Sequence, residues 1–389
     1  MTAREIAPGV RWVGALHGDR RLFDDLIPLP DGTTYNAYLI TGKEKTALVD
    51  TVDPMKTEVL LTHLAGVPRV DYVVIQHVEQ DHSGSLPVVL NRYPHARVLA
   101  TPKAKGMIVD HLGVPEDRIT PVEDGETVSL GGRTLEFLHA PWVHWPETML
   151  TYLREERVLF PCDLFGSHLA LPGLFYTDRP RVYEAAKRYY AEIMMPFRAA
   201  IQGHLERLAR YTFSLIAPSH GPIHQEPSFI LDAYRDWVLS PPKDEVVLAY
   251  VSMHGSTARM AERLVAALAE RGVGVEPFNL TVTDLGRLAM ALVDARTLVI
   301  GAPTVLVGPH PSAVSAMYLA AALRPKLRHA AFIGSYGWSS QAEARMKALL
   351  DPLKPDWLPS VLCRGLPTDE TRAALDRLAD AIVARHKEP

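Results

Sequence analysis

Cysteine is scarce in this chain of 389 residues, in which only Cys162 and Cys363 occur. The two lie far apart and form no CxxC pair, so the sequence contains neither a rubredoxin-type site nor an iron–sulfur site. Isolated thiols are typical of a reducing compartment. We therefore expect a cytoplasmic protein.

Long apolar runs and an excess of one charge are also missing. The N-terminal stretch "MTAREIAPGVRW" has no secretory apolar core, and no apolar run reaches membrane-spanning length, so we expect no membrane association. Lys and Arg number 41 against 45 Asp and Glu, a formal charge of −4. Without a basic patch or a charged tail, we expect no nucleic-acid partner.

The chain has two halves with different patterning. In the first half, short apolar stretches such as "TTYNAYLITG", expected to be one strand, alternate with helical stretches and indicate a layered α/β or α+β domain. The stretch "SPPKDE" (240–245) has the composition of a linker. After it, five strand–helix units begin at "VVLAYV" and end near "WLPSVLC", which predicts a doubly wound parallel sheet. The predicted domains are residues 1–243 and 244–389.

The stretch "QHVEQDHSG" (76–84) concentrates two imidazoles and two carboxylates directly after a predicted strand. One interpretation is a solvated polar turn; the other is a set of metal ligands shared between two ions. Three later residues, His144, Asp163 and His220, also stand where an apolar stretch meets a loop, and this favours the second interpretation. A set of imidazoles and carboxylates suits iron, manganese or zinc. The candidate ligands are His77, Glu79, Asp81, His82, His144, Asp163 and His220.

Three loops of the second half are candidates for binding a phosphorylated flavin. "SMHGST" joins the first strand to its helix, where backbone N–H groups and hydroxyls can hold a phosphate; the loop lacks the lysine of a Walker A motif. "APTVLVGPHP" and "SYGWSS" follow two further strands. Three such loops in this order resemble those of flavodoxins, and the resemblance implies FMN rather than ordinary Ser/Gly turns. Tyr336, Trp338 and His310 are candidates for contacts with the flavin ring, although Trp338 also suits a packed surface position. The predicted contacts are Ser252, Met253, His254, Gly255, Ser256, Thr257, Pro303, Thr304, Val305, Leu306, Ser335, Tyr336, Gly337, Trp338 and Ser339.

These motifs resemble those of a known family. The first half resembles the metallo-β-lactamase superfamily, whose zinc hydrolases carry H-x-H-x-D-H; this chain has Glu79 where they have the second histidine. With "GTTYNAYLI", "DTVDP", "CDLFGSH" and "APSHGPI", almost the whole chain resembles the flavodiiron proteins. The resemblance implies a metallo-β-lactamase-like αββα sandwich followed by a flavodoxin-like doubly wound parallel five-stranded sheet.

The resemblance also implies how the ligands are divided. His77, Glu79 and His144 would hold one iron, Asp81, His82 and His220 would hold the other, and Asp163 would bridge them. It implies two Fe and FMN as cofactors and no catalytic side chain beyond the metal ligands.

The activity implied by the resemblance is reduction of O2 to water, of NO to N2O, or of both. The expected assembly is a head-to-tail homodimer or a tetramer. Electrons are expected from a separate donor, which is a rubredoxin, an NADH-linked reductase or a reduced deazaflavin. Two alternatives remain at this point: a zinc-dependent hydrolase with an appended binding module, and a flavoprotein electron carrier with an inactive metal site.

Two positions depart from the family pattern. Asp24 and Asp25 follow Phe23 where many members carry a histidine, so we expect a different proton supply or substrate preference in the metal pocket. Leu306 replaces an asparagine of the second flavin loop, and we expect weaker FMN binding or a shifted flavin potential.

Overall fold

The computed structural model of this protein describes residues 2–388, which form two units. The first unit runs to Tyr190 and resumes at Phe197–Leu239, and the second contains Ala191–Pro196 and the chain from Ser240 onward. Among the described residues, no helix is both long enough and apolar enough to cross a membrane.

The first unit contains most of the strands and seven of the helices. Its strands β1 to β16 are Arg4–Ala7, Val10–Trp12, Ala15–His17, Leu22–Phe23, Ile27–Pro28, Thr33–Tyr35, Tyr38–Thr41, Thr46–Val49, Tyr72–Val74, Arg97–Ala100, Ile119–Pro121, Thr127–Ser129, Thr134–His139, Met149–Leu153, Val158–Phe160 and Leu215–Ile216. Its helices α1 to α7 are Thr57–His63, Gln80–Ser83, Leu86–Arg92, Pro102–Leu112, Arg179–Tyr189, Arg198–Leu208 and Pro227–Leu239.

Two mixed sheets form the centre of this unit. One has the strand order β1-β2-β7-β8-β9-β10-β11 and the other β12-β13-β14-β15-β16. Residues alternate between two cores along each strand: in β8, Ala47 and Val49 belong to the core shared with the second sheet, whereas Leu48 packs with residues of α1, α3 and α4. Burial on both faces explains why these strands are almost continuously apolar.

The structure first differs from the predicted strands and helices at Asn36. The stretch "TTYNAYLITG" forms two strands in different sheets, because β6 pairs with β3 and β7 pairs with β2 and β8. Between them, the Asn36 side chain donates to the carbonyl oxygens of Pro218 (2.8 Å) and Gly221 (2.9 Å). The expectation of one strand was wrong because Asn36 binds the loop that carries His220 instead of continuing a ladder.

The second unit is the predicted doubly wound domain. Its strands β17 to β23 are Lys243–Tyr250, Gly274–Asn279, Ala295–Val305, Gly308–Pro309, His329–Tyr336, Asp356–Trp357 and Val361–Arg364. Its helices α8 to α12 are Ser256–Glu270, Leu285–Asp294, Pro311–Leu323, Ala342–Leu350 and Asp369–His386. Short 3-10 or π-helical turns elsewhere in the chain occupy Pro54–Lys56, Glu116–Arg118, Tyr190–Met194, Met195–Phe197 and Asp351–Leu353.

Parallel pairing dominates this unit. The order is β18-β17-β19-β21-β22, with β23 also parallel to β21 and β20 antiparallel to β19. In β17, Val247 and Ala249 pack with α9, α10 and α11, and Val246 and Leu248 pack with α8 and α12. The expected fifth strand is split into β22 and β23 around Pro359, since proline has no N–H for the ladder.

Candidate metal centre and flavin site

All seven candidate metal ligands lie at one end of the two sheets of the first unit. His77 follows β9, Asp163 follows β15 and His220 follows β16, while His144 lies between β13 and β14. The other three are at or in α2, a one-turn helix that begins after Glu79. Each rigid strand therefore delivers a polar residue to the same place.

The structure brings these side chains into two groups. In the first, ligand atoms of His77, Glu79, His144 and Asp163 all lie within 4.8 Å of one another. In the second, the same holds for Asp81, His82 and His220. This division matches the one that the family resemblance implies.

Asp163 faces both groups, each with a different oxygen. Its Oδ2 atom lies 3.8 Å from His77 Nε2 and 3.6 Å from His144 Nε2. Its Oδ1 atom lies 3.2 Å from His82 Nε2 and 3.2 Å from His220 Nε2. A carboxylate with its two oxygens directed at separate ligand groups has the geometry of a bridge between two metal ions.

The second group contains buried polar atoms that lack hydrogen bonds. Both carboxylate oxygens of Asp81 and the Nε2 atom of His82 are buried without a hydrogen-bond partner among the described residues. Asp81 Oδ2 is nevertheless 3.1 Å from His220 Nε2, and Asp81 Oδ1 is 3.4 Å from His82 Nε2. Such atoms are costly to bury unpaired, and their convergence suits a shared cation. The residues present therefore fit two divalent ions.

The charges of the metal-free centre stabilise one another. Burial lowers the pKa of His220, but the adjacent Asp163 and Asp81 carboxylates outweigh it and raise this pKa to about 9. Burial also lowers the pKa of His144, but the Asp163 and Glu79 carboxylates outweigh this effect and raise the pKa to about 10. Burial raises the pKa of the Glu79 carboxyl, but His144 and His77 bring it well below its usual value. Metal binding must therefore displace protons from these imidazoles.

Residues outside the predicted set hold the ligands in place. Glu147 Oε1 is 2.8 Å from His77 Nδ1, and the carbonyl oxygen of Thr34 is 2.6 Å from His220 Nδ1. Both contacts leave Nε2 for the centre, as is usual for metal-binding histidines. Neither Glu147 nor Thr34 was predicted as part of the site. The acidic residue three positions after His144, in "HWPE", was the available signal for Glu147, whereas a backbone carbonyl has no sequence signal.

Asp24, one of the two departures from the family pattern, lies beside the metal centre. Burial, together with the Glu79 and Asp81 carboxylates, raises its pKa to about 6. Asp24 and Asp25 both have left-handed backbone conformations, with φ of 50° and 51°, which Asp tolerates better than most residues. An additional carboxyl group therefore stands next to Glu79.

The three predicted flavin loops surround one cavity of the second unit. They lie at the carboxyl ends of β17, β19 and β21, and the last two begin within their strands. This place is next to the position where the strand order reverses, which is the usual ligand site of such sheets. The cavity has a volume of about 320 Å³. Its lining is Ser252, Met253, His254, Ser256, Thr257, Pro303, Thr304, Ser335, Tyr336, Gly337, Gly365 and Leu366.

Gly365 and Leu366 were not predicted as part of this site. They follow β23, and the signal for them was their position after the last strand. Of the predicted contacts, Gly255, Val305, Leu306, Trp338 and Ser339 do not line the cavity.

Several of the predicted flavin residues have other positions. Leu306 and Trp338 are 91% and 80% exposed, so Trp338 is not a packed surface aromatic. Gly255 precedes α8 with φ of +86°, a conformation that glycine adopts without strain. His310 is the N-cap residue that precedes α10, and its ring accepts a hydrogen bond from the backbone N–H of Ser312.

Comparisons with known proteins agree with this architecture. A family model described as "ODP family beta lactamase" matches residues 33–221. The chain is 35% identical to a protein of Moorella thermoacetica named nitric oxide reductase, over 98% of each chain. Among solved structures it resembles rubredoxin oxygen:oxidoreductase of Desulfovibrio gigas (TM-score 0.95, 29% identity, 99% of each chain). It also resembles the flavodiiron protein of Giardia intestinalis (TM-score 0.92, 26% identity, 99% of this chain and 98% of that one).

A metallo-β-lactamase-like unit with a two-part metal centre, followed by a flavodoxin-like unit, defines the class of the protein. With relatives of this similarity over nearly its whole length, the chain belongs to the flavodiiron protein family. The fold class predicted from the sequence is confirmed, and members of this family carry FMN and a diiron centre.

Proposed function

We propose that this protein is an oxidoreductase that reduces O2 to water, NO to N2O, or both, at two iron ions supplied with electrons through FMN. The observation that carries the proposal is the position of Asp163, whose two oxygens face separate groups of histidine and carboxylate ligands. Two proteins that are similar to this chain are named for these activities, one a nitric oxide reductase and the other a rubredoxin oxygen:oxidoreductase.

Seven side chains are proposed to hold the two irons. Each group combines neutral imidazoles with a hard carboxylate, and the three carboxylates would offset three of the four charges of two ferrous ions. The first iron would be held by His77, Glu79 and His144, the second by Asp81, His82 and His220, and both by Asp163.

Bound FMN accepts electrons singly or in pairs and two irons store two electrons, which together suit reduction of a diatomic gas. The protein controls access to this centre. The side chains of Glu79 and His144 are 15% and 16% exposed, whereas those of His77 and Asp163 are at most 1% exposed. A small molecule would therefore enter on the Glu79 and His144 side, where the Asp24 carboxyl holds a proton below about pH 6.

We propose that the fifteen residues of the three predicted loops bind FMN, and that residues 1–243 and 244–389 are the diiron and FMN domains. The cavity offers hydroxyl groups from Ser252, Ser256, Thr257 and Thr304, which suit a phosphate and a polar ring edge. Leu306 does not line this cavity. We propose that the missing asparagine at this position weakens FMN binding or shifts the flavin potential.

The assembly and the electron donor are also proposals. Large apolar side chains are exposed near the flavin cavity (Trp338, 80%) and two residues before the ligand His144 (Trp142, 52%), and both suit burial in a head-to-tail homodimer or a tetramer. A rubredoxin, an NADH-linked reductase or a reduced deazaflavin would supply the electrons. The two buried free thiols, Cys162 and Cys363, support the proposed cytoplasmic location.

Metal and flavin analysis with an electrode assay tests the proposal. We expect two irons and one FMN per chain, with O2 or NO consumed by the reduced protein. Zinc without flavin would instead support the hydrolase, and flavin without metal would support the electron carrier. The hydrolase is not favoured, because similar proteins that span nearly the whole chain are named as oxidoreductases.

A further inference from the structure

The histidines of the metal centre differ in the group that contacts Nδ1, the ring nitrogen not directed at the other ligands. His77 Nδ1 contacts a carboxylate, Glu147 Oε1, at 2.8 Å. His220 Nδ1 contacts a neutral acceptor, the carbonyl oxygen of Thr34, at 2.6 Å. His77 belongs to the first ligand group and His220 to the second, so of these two histidines only His77 has a carboxylate at hydrogen-bond distance from Nδ1 among the described residues.

A carboxylate also lies behind His82 in the second group, but it is placed differently. Asp50 Oδ2 is 3.8 Å from His82 Nδ1, beyond hydrogen-bond distance. The Asp50 oxygens already accept from Gln76 N (2.9 Å), Gln76 Nε2 (3.0 Å) and Ser219 Oγ (3.3 Å). Three donors already occupy its oxygens, so Asp50 does not fix the proton of His82 in the way that Glu147 contacts His77 Nδ1.

Glu147 is fully buried and has little else to bind. Its Oε1 accepts from His77 Nδ1 and from the backbone N–H of Val78 (3.0 Å), and its Oε2 has no hydrogen-bond partner among the described residues. Thr101 Oγ1 donates to its backbone carbonyl at 2.9 Å, which fixes the backbone at this position. The geometry of these contacts gives the Glu147 carboxylate one side-chain partner among the described residues, the Nδ1 atom of His77.

We propose that Glu147 is a positioning residue that makes the two iron positions unequal. It fixes the proton of His77 on Nδ1, frees Nε2 for iron, and makes this imidazole a stronger electron donor than His220. This inference rests on the proposed diiron centre.

The stronger donor favours Fe3+ over Fe2+ at the position of His77, Glu79 and His144. In each redox step one ferric ion takes up one electron to become ferrous, from an added reductant such as dithionite, and no covalent bond breaks. The iron at the His77 position is therefore oxidised first and reduced last.

Glu147→Gln removes the negative charge and keeps the shape of the side chain, because glutamine retains an oxygen that accepts hydrogen bonds from His77 Nδ1 and Val78 N. Glu123→Gln is the matched control: Glu123 lines the same surface cavity as Glu147 but is exposed, and it is not a ligand of either group. For the iron- and FMN-loaded proteins, the midpoint potentials of the two irons are measured by a redox titration followed by EPR. Retention of each iron against a chelator is measured in parallel.

In Glu147→Gln we expect the lower of the two midpoints to move to a more positive potential and the higher one to move less. One of the two irons should bind about 10- to 100-fold more weakly. Glu123→Gln should match the wild type. Unchanged potentials and affinities in Glu147→Gln, or equal shifts of both potentials, would overturn the inference. A wild-type protein that binds fewer than two irons would instead overturn the proposed function.

A measurement on the wild type decides the matter if Glu147→Gln does not fold. In the zinc-loaded protein, one imidazole N–H resonance should lie well downfield of the others, because its proton is shared with a carboxylate. Imidazole N–H resonances that all fall in one narrow range would rule out the proposed role of Glu147.

Discussion

Tyr189 donates a hydrogen bond from its hydroxyl group to Oδ1 of Asp163 at 2.9 Å. Burial, and then the negative charge of Asp163, raises the pKa of Tyr189 far above its usual value, so this hydroxyl remains a donor at all ordinary pH. Tyr189 ends α5, and it thereby connects the proposed bridging ligand to a helix that contributes no ligand of its own.

Tyr189→Phe should destabilise the metal-free protein by about 1.5–3 kcal/mol, the usual contribution of a hydrogen bond to a charged group. Chemical denaturation measures this difference. Tyr176→Phe is the control, because it removes a hydrogen bond to His224 outside the metal centre. A difference no greater than that of the control would show that Asp163 is positioned by other contacts.

Glu79→Ala should abolish O2 or NO consumption and leave FMN bound. The side chain lies 3.0 Å from His77 Nε2 and 3.1 Å from His144 Nε2, so its loss removes the only carboxylate of the first group other than Asp163. Iron analysis, the visible flavin spectrum and an electrode assay provide the three measurements. Retained gas consumption would refute the role assigned to Glu79.

Ser252→Ala should weaken FMN binding without affecting iron. Ser252 Oγ accepts hydrogen bonds from the backbone N–H groups of Gly255 (3.2 Å) and Ala258 (3.1 Å), which shape the first flavin loop. Loss of two such bonds, at about 0.5–1.5 kcal/mol each, corresponds to an affinity decrease of about 5- to 150-fold. A fluorescence titration of the flavin-free protein measures it, with Ser312→Ala in α10 as the control.

The metal-free protein should lose stability as pH rises above about 6.5. His144 and His220 have folded pKa values of about 10 and 9 against a usual value of 6.5, so the stability they contribute is fully present below pH 6.5 and is lost as pH rises through 9 to 10. Calorimetry from pH 5 to 10 measures this loss.

Iron binding should show the opposite trend over the same range. Because iron displaces the imidazole protons, its affinity should rise with pH up to about 9 to 10. If calorimetry instead found that the free energy of unfolding of the metal-free protein does not change between pH 6.5 and 10, the proposed charge arrangement of the centre would be contradicted.

Asp24→Asn should stabilise the metal-free protein at neutral pH. The folded pKa of Asp24, about 6 against a usual 3.8, means that ionising this group destabilises the fold as pH rises through that interval. The thermal midpoint of Asp24→Asn should exceed that of the wild type at pH 7 and equal it at about pH 3.5. Asp25→Asn is the control, because Asp25 is the next residue and is exposed with a positive φ, as Asp24 is.

The sequence by itself determined the class of the fold and the identity of the candidate ligands. Apolar stretches that end in polar residues place those residues at strand ends, and strands of one sheet end together, so His77, Asp163 and His220 could be grouped without coordinates. The same reasoning grouped most of the residues that line the proposed flavin cavity, from Ser252 to Gly337, because three neighbouring parallel strands end there.

Only the tertiary structure decided which atoms support the ligands. Glu147 is 70 positions from His77, and Thr34 is 186 positions from His220. No local period or motif connects residues so distant in sequence, and a backbone carbonyl such as that of Thr34 is present at every position. The opposed directions of the two Asp163 oxygens likewise depend on a side-chain orientation that packing, rather than residue type, determines.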